Sequence, residues 1–322
     1  MVFIRRHGFS VSLVGAVLLG LFAPYRASSA GALHSDILGS AGVFLVLFWQ
    51  GLSLSTKQLL AGHRPLRLHS FVLGWNFFLF PLLTAAVLWL LSDSIVPELR
   101  IGFYLLSIMP TTVASAVSMT SAFKGNRANA IFSSFYSNLF AVFWVPLVSL
   151  FYLSLSDTLE LGLTAVLYKL SVLILLPLIA GQLVQRLQPR RISGVVKKTG
   201  WFCPLIIVFL VYIAFSESLQ ARTLPASALI ITVGLVCVLF FLISWLVLRS
   251  VHFLRIEQDQ RVAAFFCSSQ KSLATGLPLA VTLIGAGGKE SEAALLLLPM
   301  LVYHPLQLLL VFIFGRALQS GE

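Results

Sequence analysis

Charged residues are scarce in this chain, and acidic residues are the scarcest of them. Only 10% of the 322 residues are charged, and 11 are Asp or Glu, whereas soluble domains carry about 25% charged residues. No acidic residue lies in the middle of a long apolar stretch. This distribution argues against a soluble domain, a carboxylate proton relay through a membrane and a carboxylate cage for calcium.

Cysteine and histidine are also few and scattered. The three cysteines, Cys203, Cys237 and Cys267, each lie inside an apolar run and lack the spacing of metal ligands. A disulfide framework is therefore not expected. The six histidines form no cluster, so we predict no metal centre and no cofactor other than a coupling ion.

Apolar residues make up 58% of the chain, and the mean hydropathy is +0.96. A membrane-spanning helix needs about 20 mainly apolar residues. The sequence therefore predicts an all-α membrane protein with ten transmembrane helices. Their predicted ranges are 9–25, 35–54, 68–91, 100–122, 128–153, 161–184, 201–219, 225–248, 262–285 and 292–315.

The basic residues are unevenly placed between these spans. Of the 22 Lys and Arg, 16 fall at the termini or near the loops after even-numbered spans, 5 fall near the other loops, and Lys271 lies inside a span. This split predicts cytoplasmic termini and anionic lipid head groups, rather than nucleic acid, around the basic loops. The short loops and the lack of organelle signals favour a bacterial inner membrane, with a eukaryotic membrane as the alternative. Residues 5–30 also resemble a cleaved secretory signal, but cytoplasmic termini require an even number of spans and favour a retained helix.

Ten spans divide into halves of five, 1–153 and 161–322, and an odd number of spans in each half gives the halves opposite orientations. We therefore predict one transmembrane transporter domain over 1–322, built from two inverted repeats. The fourth span is predicted to break at Pro110, within 109–112, and the ninth at Pro278, within 275–278. Paired interruptions are typical of transporter substrate sites, although proline is common in membrane helices generally.

Lys271 is the most unusual residue of the chain, because it lies in the apolar ninth span. Arg261 is ten residues away, which is about 15 Å by helical rise. A cation at that depth is unfavourable by at least about 3 kcal/mol and usually faces a partner or a wet cavity. We predict a binding role for Lys271, with snorkelling to the membrane surface as the alternative.

Hydroxyl and amide side chains cluster in three spans, and we predict that they line the same site. The predicted substrate- or ion-binding residues are Thr111, Thr112, Ser115 and Ser118 in the fourth span, Asn129, Ser133, Ser134 and Asn138 in the fifth, and Ser268, Ser269, Gln270 and Ser272 around Lys271. A half-helix that begins after Pro110 could face an anion with its N-terminus. Close helix packing through small polar residues is the alternative.

Two motifs resemble those of a known family. They are Pro110-Thr111-Thr112-Val113-Ala114-Ser115-Ala116, with Gly125-Asn126 after it, and Cys267-Ser268-Ser269-Gln270-Lys271-Ser272. They resemble the bile acid:sodium symporter family (solute carrier family 10), in the branch of its seventh animal member and bacterial relatives. The resemblance spans nearly the whole chain. It implies a panel domain, a core domain in which the broken fourth and ninth helices cross, and sodium-coupled transport of organic anions.

The sequence departs from the sodium-binding pattern of that family. Cys267 stands where sodium-coupled members have a glutamate, and Lys271 where they have a glutamine. The resemblance leaves Asn76, Ser115 and Ser134 as oxygen ligands for sodium without the acid. We therefore expect a secondary active transporter of a small organic anion with altered or absent sodium coupling. The Lys271 ammonium would replace a bound cation or exchange a proton.

Two other functions are alternatives. The animal branch of the family implies that a non-transporting membrane regulator of ion homeostasis, in particular of calcium, is one of them. An intramembrane serine–lysine hydrolase, with Lys271 as base for Ser115, would need an oxyanion site. The sequence has no such motif, so we predict no enzyme activity and no catalytic residue.

Overall fold

The structure is a computed structural model that describes residues 11–20, 35–53, 65–91, 94–155, 163–199, 201–220, 225–254, 256–286 and 292–319. Within these ranges the regular structure is entirely helical. The helices are α1 (Val11–Gly20), α2 (Ser35–Ser53), α3 (Leu66–Gly74), α4 (Phe80–Leu90), α5 (Pro97–Ile108), α6 (Val113–Ala122), α7 (Arg127–Leu155), α8 (Leu163–Leu187), α9 (Pro189–Lys198), α10 (Phe202–Gln220), α11 (Ala226–Phe253), α12 (Gln258–Ser269), α13 (Leu273–Ala286) and α14 (Ala293–Gln319). A π-helical turn, Trp75–Leu79, joins α3 to α4.

Four described helices are long and apolar enough to cross a membrane, namely Leu66–Leu90, Arg127–Ser149, Ser227–Phe253 and Ala293–Leu310. The pair α5 and α6, which bends by 58° at its break, makes a fifth if it is taken as one span. Described helices overlap all ten predicted ranges. The all-α membrane class is thus confirmed, while ten crossings and the inverted repeats stay predictions. Most of the signal-like segment 5–30 lies outside the described residues.

Large apolar side chains lie on the outside of the protein. Trp89 is 76% exposed, Ile230 75% and Leu82 65%. Polar side chains, among them Gln270 and Lys271, are buried inside. The interior is still mainly apolar, but many large apolar side chains on the outside together with buried polar ones suit a protein surrounded by lipid.

Glycines let two pairs of helices pack at backbone distance. A Cβ on Gly181 in α8 would overlap main-chain atoms of α2, and a Cβ on Gly102 in α5 would lie 2.6 Å from the carbonyl oxygen of Leu296 in α14. Small residues allow membrane helices to approach this closely. Each pair belongs to a group of packed helices, α2 with α8 and α10, and α14 with α5 and α11.

The first helix break lies at 109–112, between α5 and α6, as predicted. The second lies at 270–272, between α12 and α13, so the prediction of a break at Pro278 is wrong. Pro278 lies inside α13 and has no N–H to donate to the carbonyl of Ala274 one turn earlier. The side chain of Gln50 in α2 donates to that carbonyl instead, at 3.1 Å, so the helix can continue through the proline.

Sequence reasoning missed one helix, α9. It lies between the predicted ranges 161–184 and 201–219, and its four basic residues in ten positions are also typical of a loop. It packs against α2 and α8. A span-length hydropathy criterion cannot detect a helix of this kind, because only one of its faces is apolar.

Candidate functional site

The Lys271 ammonium is buried at the place where the two helix breaks meet. Its Nζ donates to the carbonyl oxygens of Asn76 at 3.0 Å, Ser107 at 2.7 Å and Met109 at 2.9 Å. The side chain is only 2% exposed, and the ring centroid of Phe80 lies 4.2 Å from Nζ. Three carbonyl acceptors match the three hydrogens that a protonated lysine can donate, so the site suits the charged form of the side chain. Lys271 does not snorkel to the surface.

The three carbonyls are available because the helices that carry them are irregular. In the π-helical turn, the N–H of Phe80 donates to the carbonyl of Trp75 rather than to that of Asn76. The next residue, Pro81, has no N–H, so the Asn76 carbonyl is left for Lys271. π-helical turns of this kind are frequent at functional sites.

The break after α5 supplies the other two carbonyls. In a continued helix, the N–H of Thr111 would donate to the carbonyl of Ser107, but here it donates to the side chain of Ser137 in α7, at 3.1 Å. Met109 is extended, with φ −70° and ψ 150°, so its carbonyl leaves the helical ladder. The break therefore turns backbone acceptors toward the ammonium.

Gln307 of α14 fixes the main chain of Lys271. Its Oε1 accepts the Lys271 N–H at 2.8 Å, and its Nε2 donates to the Lys271 carbonyl at 2.9 Å. One turn earlier, the Tyr303 hydroxyl donates to the carbonyl of Ser269 at 2.8 Å. These side chains bond the main-chain groups that the α12–α13 break leaves without helical partners.

Sequence reasoning missed Gln307, Tyr303, Phe80 and the carbonyl acceptors of the site. Gln307 could have been found as an uncharged polar residue in the middle of the apolar range 292–315. The carbonyl acceptors could not have been found from the sequence, because every residue has a carbonyl and only the path of the backbone decides which carbonyls are free.

The two breaks also contact each other directly. The N–H of Ser272 donates to the carbonyl of Pro110 at 2.7 Å. The Ser115 hydroxyl in α6 donates to Oε1 of Gln270 at 2.8 Å. We call this region, residues 109–115 and 270–272, the crossing.

Two of the predicted site residues on α7, Ser134 and Asn138, line the crossing. Asn138 donates to the carbonyl of Thr111 at 3.0 Å, and its Oδ1 accepts from the Thr275 hydroxyl at 2.6 Å. The Ser134 hydroxyl lies 3.4 Å from the carbonyl of Thr112. These bonds tie α7 to both broken helices.

Other predicted site residues have different surroundings. Ser133 bonds His69 at 2.9 Å, and Asn129 lies in the first turn of α7. Ser118 is exposed on α6, and the Ser269 hydroxyl donates to the carbonyl of Phe265 within α12 at 2.8 Å. Neither the Ser133–His69 bond nor the Ser269–Phe265 bond reaches the crossing.

Cys267 lies beside the ammonium site. Its Sγ is 3.6 Å from the Ser134 hydroxyl and 3.6 Å from the carbonyl oxygen of Ala130, and its carbonyl accepts from Asn76 Nδ2 at 2.8 Å. Asn76 thus bonds both Lys271 and Cys267. Among the described residues, no group of three His, Cys, Asp or Glu side chains is placed to hold a metal ion.

Several buried polar atoms at the crossing have no hydrogen-bond partner. They include Nε2 of Gln270 and Oγ1 of Thr111. The N-terminus of α6 is not capped by the side chain of Thr112, whereas Ser272 caps α13 by accepting the Thr275 N–H at 3.1 Å. Such unused donors at a helix N-terminus can bind an anion.

Comparisons with known proteins relate the chain to transporters along almost its whole length. The model of the SBF-like CPA transporter family matches residues 7–320. An uncharacterized protein of Pseudomonas aeruginosa is 30% identical over 311 residues, or 96% of this chain and 91% of the relative. Putative symporter YfeH of Escherichia coli is 29% identical over 314 residues, or 96% of this chain and 91% of the relative. Sodium/bile acid cotransporter 7 of Rattus norvegicus is 28% identical over 323 residues, or 98% of this chain and 94% of the relative.

Proposed function

The chain belongs to the SBF-like CPA transporter family, and from this membership we propose that it is a secondary active transporter of a small organic anion. It works by alternating access and does not need a sodium ion at the crossing. The observation that carries this proposal is the buried Lys271 ammonium with its three carbonyl acceptors. Transporters of this family are multi-pass membrane proteins and not enzymes, so the serine–lysine hydrolase is set aside.

The ammonium replaces a coupling cation in this proposal. Three carbonyl oxygens at 2.7–3.0 Å surround Nζ, and carbonyl oxygens are also hard ligands for metal cations. At an effective dielectric of 20, two unit charges about 4 Å apart repel each other by about 4 kcal/mol. A sodium ion next to Lys271 would have to overcome this repulsion without a carboxylate, since Cys267 is uncharged as a thiol.

The anion binds at the N-terminus of α6. The uncapped first turn of α6 and the unpartnered Gln270 Nε2 supply N–H donors within one region, and the Ser115 hydroxyl holds the Gln270 amide there by donating to its Oε1. The helix dipole adds a partial positive charge there, and Lys271 follows Gln270 directly in the chain. A carboxylate or a similar group has the charge and the acceptors that this arrangement requires.

Alternating access would move two helix groups relative to each other. The group of α2, α8 and α10 corresponds to a panel domain, and the group of α5, α11 and α14, with the broken helices, to a core domain. Gln50 of α2 bonds Ala274 at the start of α13, so it joins the two groups beside the crossing. The two breaks, one in each half of the chain, support the inverted repeats 1–153 and 161–322.

The orientation in this proposal follows from the charge distribution. Of the 22 Lys and Arg, 16 map to one side, and that side faces the cytoplasm by the positive-inside rule. Both termini therefore face the cytoplasm. The short loops between the spans favour a bacterial inner membrane.

Uptake into proteoliposomes tests the proposal. Purified protein is reconstituted, all sodium is replaced by potassium, and a panel of radiolabelled mono- and dicarboxylates is screened. We expect saturable uptake of at least one anion without sodium. Absence of uptake for the whole panel by folded protein would favour a non-transporting regulator.

A matched pair of variants on α6 tests the anion site. Ser115→Ala removes the hydroxyl that donates to Gln270 Oε1 at the crossing, and Ser121→Ala removes a hydroxyl that donates to the carbonyl of Val117 in its own helix. Without the bond from Ser115, the Gln270 amide is no longer held in place for the anion. Because a hydrogen bond to a charged group contributes about 1.5–3 kcal/mol, loss of the one from Gln270 Nε2 should weaken anion binding at least about tenfold. Equal effects of the two substitutions would contradict this placement of the site.

A further inference from the structure

Helix α9, Pro189–Lys198, separates its basic residues from its apolar residues. At 100° per residue, positions 190, 191, 197 and 198, all Arg or Lys, fall within an arc of about 120° centred near position 194. The apolar residues Ile192, Val195 and Val196 fall outside this arc. A short helix with this pattern is typical of one that lies in the plane of a membrane surface.

The sequence around α9 fixes it between two apolar helices. Gln188 leaves the helical conformation, with φ −134° and ψ 61°, and Pro189 starts the new helix. At the other end, the Thr199 hydroxyl donates to the carbonyl of Val195 at 2.7 Å. Helix α10 begins shortly afterwards, at Phe202. The helix therefore lies where the chain turns between two apolar segments.

The basic side of α9 is open. Arg191, Gly194 and Lys198 are exposed, and a Cβ added to Gly194, at the centre of this side, would meet no atom within 4 Å. Ile192 and Val196, on the other side, are half-buried, and α9 packs on α2 and α8. No acidic residue occurs in the chain between Glu160 and Glu217, so nothing nearby in sequence neutralises the basic side.

Apolar side chains flank this basic surface. Leu187 is 79% exposed, Trp201 64% and Val195 45%. Tryptophan is enriched where head groups meet acyl chains. A soluble acidic partner would match the basic charge, but a lipid surface matches both the charge and the exposed apolar residues.

We propose that α9 lies in the membrane interface and binds the head groups of anionic phospholipids. Arg191 and Lys198 on the basic side contact the phosphates, while Val195, Leu187 and Trp201 reach the acyl boundary. This binding site is separate from the crossing and does not depend on what is transported. Each basic residue near an anionic bilayer strengthens binding by about fivefold.

Native mass spectrometry of the full chain, released from detergent micelles, tests the proposal with phosphatidylglycerol and phosphatidylcholine as probes. The variant Arg191→Gln/Lys198→Gln should bind phosphatidylglycerol about 25-fold more weakly and phosphatidylcholine unchanged. The matched control Lys124→Gln/Arg127→Gln also removes two exposed basic residues, but outside α9, and should weaken phosphatidylglycerol binding clearly less than the α9 variant does. An unchanged unfolding midpoint in phosphatidylcholine shows that the variants are folded.

A second pair of variants separates the effect of an added negative charge on lipid binding from the effect of an added side chain. Gly194→Glu and Gly194→Gln place nearly equal side chains in the open space over the basic side, and only Gly194→Glu should weaken phosphatidylglycerol binding. Equal binding of the two lipids by the natural chain would overturn the proposal in favour of a soluble acidic partner. A loss in the Lys124/Arg127 control as large as that in the α9 variant, or equal behaviour of the two Gly194 variants, would also overturn it.

Discussion

Replacing two buried side chains should create a sodium site in this protein. The double variant Cys267→Glu/Lys271→Gln places an acid where the thiol lies and removes the ammonium. The two positions are neighbours in space, because Asn76 bonds Cys267 at 2.8 Å and Lys271 at 3.0 Å. The carbonyls of Asn76, Ser107 and Met109 then lose their donor and become available to a metal cation.

The electrostatic change can be estimated from Coulomb's law. With an effective dielectric of 20, the ammonium repels a cation about 4 Å away by about 4 kcal/mol, and a carboxylate at that distance attracts it by the same amount. The double substitution therefore lowers the electrostatic energy of a bound sodium ion by about 8 kcal/mol. Neither single variant suffices, since Cys267→Glu pairs its acid with Lys271, and Lys271→Gln supplies no acid.

The assay is thermal unfolding of the purified protein in sodium chloride and in potassium chloride. Sodium at about 100 times its dissociation constant should stabilise the double variant by about 2.7 kcal/mol. The control Cys267→Gln/Lys271→Gln has nearly the same shape without the charge, and it should show no difference between the salts. A folded double variant whose midpoint is the same in both salts would show that these two substitutions do not create a sodium site.

Three further predictions concern the packing of the helices, each measured as an unfolding midpoint in detergent. Lys271→Met should destabilise the protein by several kcal/mol, because it leaves three buried carbonyls unpaired at about 1–3 kcal/mol each; an unchanged midpoint would show that these bonds contribute nothing. Gln307→Leu should destabilise by about 2–4 kcal/mol through loss of its two bonds to the Lys271 main chain, and a loss below about 0.5 kcal/mol would contradict this role of the side chain. Gly181→Val should prevent the close approach of α8 to α2 and destabilise strongly, whereas Gly194→Val, in open space, should have little effect; equal losses would contradict the packing described for Gly181.

The sequence predicted the composition of the crossing better than its geometry. Lys271 stood out because a charge in an apolar span needs a partner, and Pro110 marked the first break because proline removes a backbone donor. Pro278 misled the prediction, since a freed carbonyl does not break a helix when a side chain such as Gln50 bonds it. That bond joins residues 224 positions apart, so local sequence could not indicate it.

The partners of Lys271 show a second limit of sequence reasoning. The sequence suggested hydroxyl and amide side chains around the ammonium, but the structure surrounds it with main-chain carbonyls. Which carbonyls are free depends on the π-helical turn before Pro81 and on the path of residues 109–112. Helix α9 shows a third limit, since an amphipathic helix in a basic segment resembles a loop when only long apolar runs are counted.

If the Lys271 ammonium takes the place of a bound cation, the natural chain should not bind sodium at the crossing, and thermal unfolding measures this. The unfolding midpoint of the purified protein is measured while sodium chloride replaces potassium chloride at constant ionic strength. We expect the same midpoint throughout the exchange. A saturable rise in the midpoint that is specific to sodium would contradict it.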